Sequence, residues 1–148
     1  MPITERLDDV IKARRWVDSI PLHYEYTAGV VGEKFLRGLM DGRILAAYCP
    51  NCDRAALPAR MYCVDCYGQT TKLVAAGPVG LVKAVTRAVG EEDETSVFAF
   101  IEFPKVKGGI VHKLIGNARR GSKVTAKFKP RRERTGAISD VLGFERTG

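Results

Sequence analysis

All four cysteines of the chain fall in two pairs, Cys49-Pro50-Asn51-Cys52 and Cys63-Val64-Asp65-Cys66, with ten residues between them. A CxxC turn aims two thiolates at one point. Two such turns facing each other supply the closed tetrahedral sulfur shell that a structural zinc ion takes. The spacing therefore predicts a metal-stapled ribbon in the middle of the chain, with Cys49, Cys52, Cys63 and Cys66 as ligands. Zn2+ is the expected ion, and iron satisfies the same four sulfurs, so the spacing leaves the metal's identity open.

Other chemistries fit the residues less well. Disulfides need an oxidising compartment, whereas Met1-Pro-Ile-Thr-Glu-Arg-Leu-Asp-Asp9 has no basic-then-apolar leader and no apolar run approaches a membrane span of about 20 residues. A cytoplasmic protein with reduced thiols is the expectation. A catalytic zinc keeps one position open and commonly uses histidine or a carboxylate; here four thiolates fill the shell, and the two histidines, His23 and His112, are distant in sequence. A redox CxxC is normally a single motif beside a βαβ pattern, which is absent. Four buried cysteines without a metal are the remaining alternative. The chain also has no phosphate-cradling glycine loop, no GxSxG elbow and no HExxH. Asp140 and the run Glu91-Glu92-Asp93-Glu94 offer carboxylates without a partner at meaningful spacing, and His112 beside Lys113 reads as an ordinary strand histidine. The expectation is a protein that is not itself an enzyme.

The elements that must hold the cysteines follow from pattern. With 148 residues, 45% apolar and 28% charged, the chain is a soluble globular protein of one average domain or two small ones. A ribbon of about 25 residues cannot bury enough apolar surface alone, so metal binding must contribute to its folding. Residues 1–42 read as a helical segment. Thr4 caps a first helix carrying Leu7, Val10, Ile11 and Val17, which Pro21 ends. A second helix carries Val31, Phe35 and Leu39 at steps of four and stops at Asp41-Gly42. Residues 43–73 form the ribbon, with strands at Ile44–Tyr48 and Ala56–Tyr62 delivering the two pairs and Tyr48, Met61 and Tyr62 packed around the site.

Residues 74–148 read as strands. Leu81–Val89 is a long strand, and Ser96–Phe103, apolar on both faces, is expected to be covered on both sides. Gly108-Gly109 is read as a turn into Ile110–Gly116. Lys123–Lys129 alternates, with Val124, Ala126 and Phe128 inward, and Ala137–Phe144 is the last strand. Five short strands with glycine-marked turns and no interleaved helices predict a small antiparallel barrel, best matched by the OB-fold. The fold class is thus mainly β with N-terminal helices, a four-cysteine ribbon and a five-stranded antiparallel OB-fold barrel.

The order Phe35-Leu36-Arg37-Gly38-Leu39, Gly42, the two CxxC pairs with Pro58-Ala-Arg60-Met-Tyr between them, and then an OB-like segment containing Gly121-Ser-Lys-Val124 resembles the family of rubredoxin-like zinc ribbon plus OB-fold proteins long catalogued as a domain of unknown function. The resemblance covers about residues 32–144, and the segment Tyr24-Glu-Tyr-Thr-Ala-Gly29 looks most like archaeal members. It implies an accessory role in acyl-CoA metabolism: association with acyl-CoA and with a thiolase-like enzyme, in archaea together with hydroxymethylglutaryl-CoA synthase. The sequence departs from the family at the first knuckle, where Asp53 and Arg54 follow Cys52 in place of the more usual glycine.

The charge pattern bears on that role. Residues 1–104 hold 12 basic and 14 acidic side chains, net −2, and residues 105–148 hold 12 basic and 3 acidic, net +9. Arg119, Arg120, Lys123, Lys127, Lys129, Arg131, Arg132 and Arg134 are candidates for contact with coenzyme A phosphates, although alternating lysines also keep an exposed strand soluble. The same patch admits a rival, a single-stranded nucleic-acid-binding OB-fold. Such a groove needs exposed rings among its cations, and with Phe98, Phe100 and Phe103 expected inside and Phe128 inward, nucleic acid is the weaker partner.

Overall fold

The computed structural model describes residues 21–90 and 94–148. The expected first helix, and Glu91, Glu92 and Asp93 of the acidic run, lie outside them. One α-helix and eight strands make up the described chain: α1 (Gly29–Met40), β1 (Leu45–Cys49), β2 (Arg54–Leu57), β3 (Lys72–Ala75), β4 (Val79–Val89), β5 (Thr95–Glu102), β6 (Val106–Ile115), β7 (Lys123–Phe128) and β8 (Val141–Arg146).

Helix α1 follows its stripe: Val31 and Leu39 are buried and Phe35 is half-buried. Its stop is a Schellman motif. Gly42 takes a positive φ of 76°, its N–H donates to Leu39 O, and Arg43 N–H donates to Gly38 O. Gly38 is small for a second reason, because a Cβ there would sit 2.6 Å from Leu45 Cδ1 of β1. The helix thereby lies close on the ribbon, and Lys34 Nζ donates to Thr71 O at 3.0 Å.

The strands form one continuous sheet in the order β3-β1-β2-β6-β5-β4-β7-β8, and a further β6–β8 pairing closes its last five strands into a barrel. That is the five-stranded OB-fold. The β6–β8 ladder is parallel, Leu114 opposite Phe144, so the barrel departs at this one seam from the antiparallel expectation. The ribbon is a three-stranded antiparallel sheet. Its attachment is a short parallel ladder in which Ala55, Ala56 and Leu57 of β2 face Val106, Lys107 and Gly108 of β6.

This attachment overturns the reading of Gly108-Gly109 as a turn. Both lie within β6, which is sandwiched between β2 on one side and β5 on the other. A Cβ on Gly108 would collide with the carbonyl oxygen of Leu57, and one on Gly109 with that of Ile101. The two glycines therefore allow a close approach of backbones on opposite edges, which chain pattern alone cannot distinguish from a turn.

One core runs through all three zones: Leu39 from the helix, Ala46, Ala55 and Leu57 from the ribbon, and Val82, Ile101, Leu114, Val124 and Phe144 from the barrel. Each fully buried Leu, Ile or Phe contributes about 1.5–3 kcal/mol by leaving water. Of the ring-bearing residues expected inside, Phe103 is buried and pairs with Phe144 at 6.3 Å between centroids. Phe98 and Phe100 are not in that core. They alternate with the buried Ala99 and Ile101 and so stand half-exposed on the outer face of β5, opposite Lys113 and Val111 of β6. A strand apolar on both faces is here covered on one.

The last strand begins at Val141, later than expected, because Ile138–Asp140 forms a 3-10 turn. Asp140 is fully buried and accepts from the backbone N–H groups of Thr135, Gly136 and Ala137 at 2.7–3.1 Å. Burial opposes ionisation of this carboxyl, but the three N–H donors and the Lys129 charge outweigh it and hold it below its ordinary value of 3.8. Arg134 straps this region to the helix: Nε donates to Lys129 O at 2.7 Å, a terminal nitrogen donates to Met40 O at 3.3 Å, and the guanidinium stacks 5.3 Å from the Phe128 ring centre. No helix among the described residues is long and apolar enough to cross a membrane.

Two outcomes follow. Gly109→Ala should cost about 3 kcal/mol in urea unfolding of the metal-bound protein, since the obstacle is backbone and cannot rotate away. Because the pKa of Asp140 is depressed on folding, its stabilising effect is full above pH 3.8 and is lost as pH falls through the folded value. Asp140→Asn should accordingly lower the thermal midpoint by roughly 5–10 °C near neutrality. The gap between variant and parent should close as the scans are repeated below pH 3.8.

Candidate metal centre

Strand β1 ends at the first cysteine, and the turn 50–53 returns the chain to β2, placing Cys49 opposite Arg54. The second pair is delivered differently from expectation. Strand β2 ends at Leu57, where Pro58 lacks the N–H to continue a ladder, and a loop closed by an isolated bridge between Tyr62 and Gln69 carries Cys63 and Cys66. Thr70 is buried and its hydroxyl donates to Arg60 O, tying down that loop. Strand β3 then completes the ribbon; its four residues carried no strand pattern strong enough to read in advance.

The four Sγ atoms lie within 4.8 Å of one another, with Cys49–Cys66 at 3.5 Å and Cys52–Cys63 at 3.9 Å. A tetrahedral shell with metal–sulfur bonds of about 2.3 Å requires sulfur–sulfur edges of about 3.8 Å. The observed separations bracket that value and are far too long for disulfides, whose sulfurs are about 2.05 Å apart. The donor set also needs a cation. Hydrogen bonding to Cys66, and after it burial, pushes Cys52 up to about 12, and burial raises Cys49. The backbone N–H groups of Asp65 and Cys66 draw Cys63 down to about 7. Four adjacent thiols thus cannot all ionise by themselves, and a divalent cation among them makes four thiolates compatible. The set fits a structural metal, zinc and iron alike.

The knuckles hold their shape through strained backbone. Asp53, the departure from glycine, takes a φ of 48°, a region that aspartate tolerates, and its carboxylate accepts from Tyr48 Oη at 2.5 Å. That hydrogen bond raises the Tyr48 pKa above its ordinary value. Tyr67, directly after Cys66, takes a φ of 59° with its ring 79% exposed. In the second knuckle Cys63 N–H donates to Gly68 O, Tyr67 N–H donates to Cys63 O, and Asp65 N–H donates to Cys63 Sγ at 3.5 Å. Asn51 Nδ2 donates to Cys66 Sγ at 3.9 Å, in space that a side chain at position 68 would fill.

Around the quartet, Asp65 bridges the ribbon to the barrel by pairing with Lys107 Nζ at 2.5 Å and Arg54 at 3.4 Å, and Lys107 holds its carboxyl below the ordinary range. Lys107 was not legible as a neighbour of the cysteines, because it reaches Asp65 only through the β2–β6 ladder. Of the residues expected to pack around the site, Tyr62 lines the adjacent groove although it is 51% exposed, and Met61 is 40% exposed.

The candidate phosphate-binding cations do not form one patch. Arg119, Arg120 and Lys123 line a 460 Å³ groove together with Arg146, a residue the sequence pattern missed because β8 was expected to end before it. That groove shares Lys123 and Thr147 with a neighbouring 720 Å³ cleft walled by Val79, Leu81, Phe103 and Pro104. Lys127 is paired with Glu145 at 3.2 Å, and Arg132 with Glu133 at 3.4 Å. Lys129 is half-buried beside Asp140, Arg131 stands exposed on a 3-10 turn, and Arg134 is the strap described above. His112 is half-buried, edge-on to Phe144 at 5.9 Å, and its Nδ1 lacks a hydrogen-bond partner among the described residues. Burial lowers its pKa against the opposing backbone carbonyls of Ile138 and Lys113.

Fold and cysteine geometry together define a zinc-ribbon and OB-fold protein. A family model described as the ChsH2 rubredoxin-like zinc ribbon domain matches residues 37–71. Among solved structures, a DUF35 family protein of unknown function from Sulfolobus solfataricus is 31% identical and superposes with a TM-score of 0.60 over 70% of this chain and 81% of its own. A chain of the Ltp2-ChsH2(DUF35) aldolase is 18% identical, with a TM-score of 0.58 over 76% and 91% of the two chains. No curated protein matches. The chain belongs to the DUF35 family.

Replacing one ligand tests the quartet. Cys63→Ser should strip the purified protein of bound metal, measured by elemental analysis, and collapse amide-exchange protection across β1, β2 and the knuckles; full protection without metal would sink the assignment.

Proposed function

We propose that this chain is a noncatalytic accessory protein that binds zinc through Cys49, Cys52, Cys63 and Cys66 and associates with acyl-CoA or a thiolase-like enzyme. The observation that carries the reading is the aldolase whose name joins a DUF35 chain of this fold, ChsH2, to a second protein, Ltp2. The architecture suits such work. A cationic groove opens into an apolar cleft. Coenzyme A thioesters have the matching shape, phosphates at one end and an uncharged arm with an acyl group at the other. Arg119, Arg120, Lys123 and Arg146 would take the phosphates by charge-assisted hydrogen bonds. Lys127, Lys129, Arg131 and Arg132 would add field rather than contacts.

A second reading, single-strand binding, gains from Phe98 and Phe100 standing half-exposed beside Lys113 on the strands that OB-folds use for this purpose. It is the weaker of the two. Four cations, Arg119, Arg120, Lys123 and Arg146, converge beside β7, separated from β5 by the whole of β4, and stacking needs rings and cations together.

Copurification with thiolase-like enzymes and titration with acetoacetyl-CoA test the proposal. Expected are co-elution and saturable binding that the double variant Arg119→Glu, Arg120→Glu weakens about tenfold or more with metal content unchanged. Absence of both, with tight single-strand binding that fades steeply as salt rises, would transfer the protein to the second reading.

A further inference from the structure

The sheet face of the ribbon that carries Cys49 is unusually bare. Ala47 and Ala56 face each other across β1 and β2, and Gly108 lies at the neighbouring edge of β6. The knuckle loop passes over this floor without filling it, leaving between ribbon and barrel a 330 Å³ groove that Cys49 and Cys63 of the metal quartet also line. That volume is at the lower end of the range for small-molecule sites, about 300–1,000 Å³. Leu57, Pro58, Tyr62 and Val64 make its walls apolar.

Charge at the rim is specific. Asp65, Lys107 and Arg54 satisfy one another. Arg60 also lines the groove, and among the described residues its guanidinium has no acceptor. The groove thus offers an apolar bed, one uncommitted planar cation and two further cations sharing a single carboxylate. A guanidinium fork matches a carboxylate bidentately. A phosphate dianion would bring a second charge and little apolar surface to a bed that is mostly aliphatic.

We propose that this groove is a binding site for an apolar monocarboxylate, its carboxylate on Arg60 and its chain on the Ala47–Ala56 floor. Such a ligand touches the ribbon through Arg60 and Val64 and the barrel through Lys107 and Gly108, so it couples the knuckle to β6. The site is separate from the groove of Arg119, Arg120, Lys123 and Arg146, with which it shares no residue.

The test uses the full-length, zinc-loaded protein, 15N-labelled and titrated with hexanoate, with hexanamide as the uncharged analogue. Expected are saturable shifts of the Ala56, Val64 and Lys107 amides and about tenfold tighter binding of hexanoate than of hexanamide. Arg60→Gln should remove that tenfold preference while leaving hexanamide binding unchanged, and Ala56→Leu should fill the floor and abolish both. If Ala56→Leu does not fold, the Arg60→Gln comparison decides alone. Equal affinity for acid and amide, a preference that survives Arg60→Gln, or shifts confined to residues 119–123 would each overturn the proposal.

Discussion

Three residue pairs of parallel ladder, Ala55–Leu57 against Val106–Gly108, join the metal ribbon to the barrel, and most of the molecule's order depends on them. They turn two small sheets into one and let a single core extend from Leu39 to Phe144. They also bring Lys107 to Asp65, so that the second knuckle is held from the barrel side as well as by its own cysteines. The ladder exists only because two consecutive glycines let β6 lie against a backbone on each edge. A ribbon of this size is marginal alone; fused in this way it shares the barrel's buried surface, and the metal acts on a structure already half-restrained.

That arrangement explains how much could be read from the chain. The cysteine quartet was legible because ligand spacing is a local property. The helix and its stop were legible because Val31, Phe35, Leu39 and Gly42 signal by short-range geometry, and the alternation in β7 is likewise local. Long-range pairing was not. Gly108-Gly109 carries the same composition as a turn, and only the presence of β2 on one side and β5 on the other makes it a crossing point. The parallel seam between β6 and β8 and the outward stance of Phe98 and Phe100 fail for the same reason: sequence gives the period of a strand but not which of its faces a neighbour covers.

The candidate site was legible in its sulfurs and not in its surroundings. Asp53 could be seen to replace a glycine, but its remedy, a positive φ anchored by the Tyr48 hydroxyl, depends on a residue four positions before the turn's second cysteine. The basic third of the chain was legible as composition and misleading as a surface. Among its cations, Arg134 is a strap, Lys107, Lys127 and Arg132 are in ion pairs, and Arg119, Arg120, Lys123 and Arg146 line one groove, a partition set by Asp65, Glu145, Glu133 and the helix carbonyl at Met40.

The partition has a kinetic meaning. Lys107, Lys127 and Arg132 are compensated by carboxylates, whereas Arg119, Arg120, Lys123 and Arg146 converge on one groove. A concentrated charge steers diffusing anions more than the same charge spread evenly, and its reach shrinks to about 8 Å at physiological ionic strength. An anionic molecule approaching the protein would therefore be drawn to that end before any apolar surface makes contact.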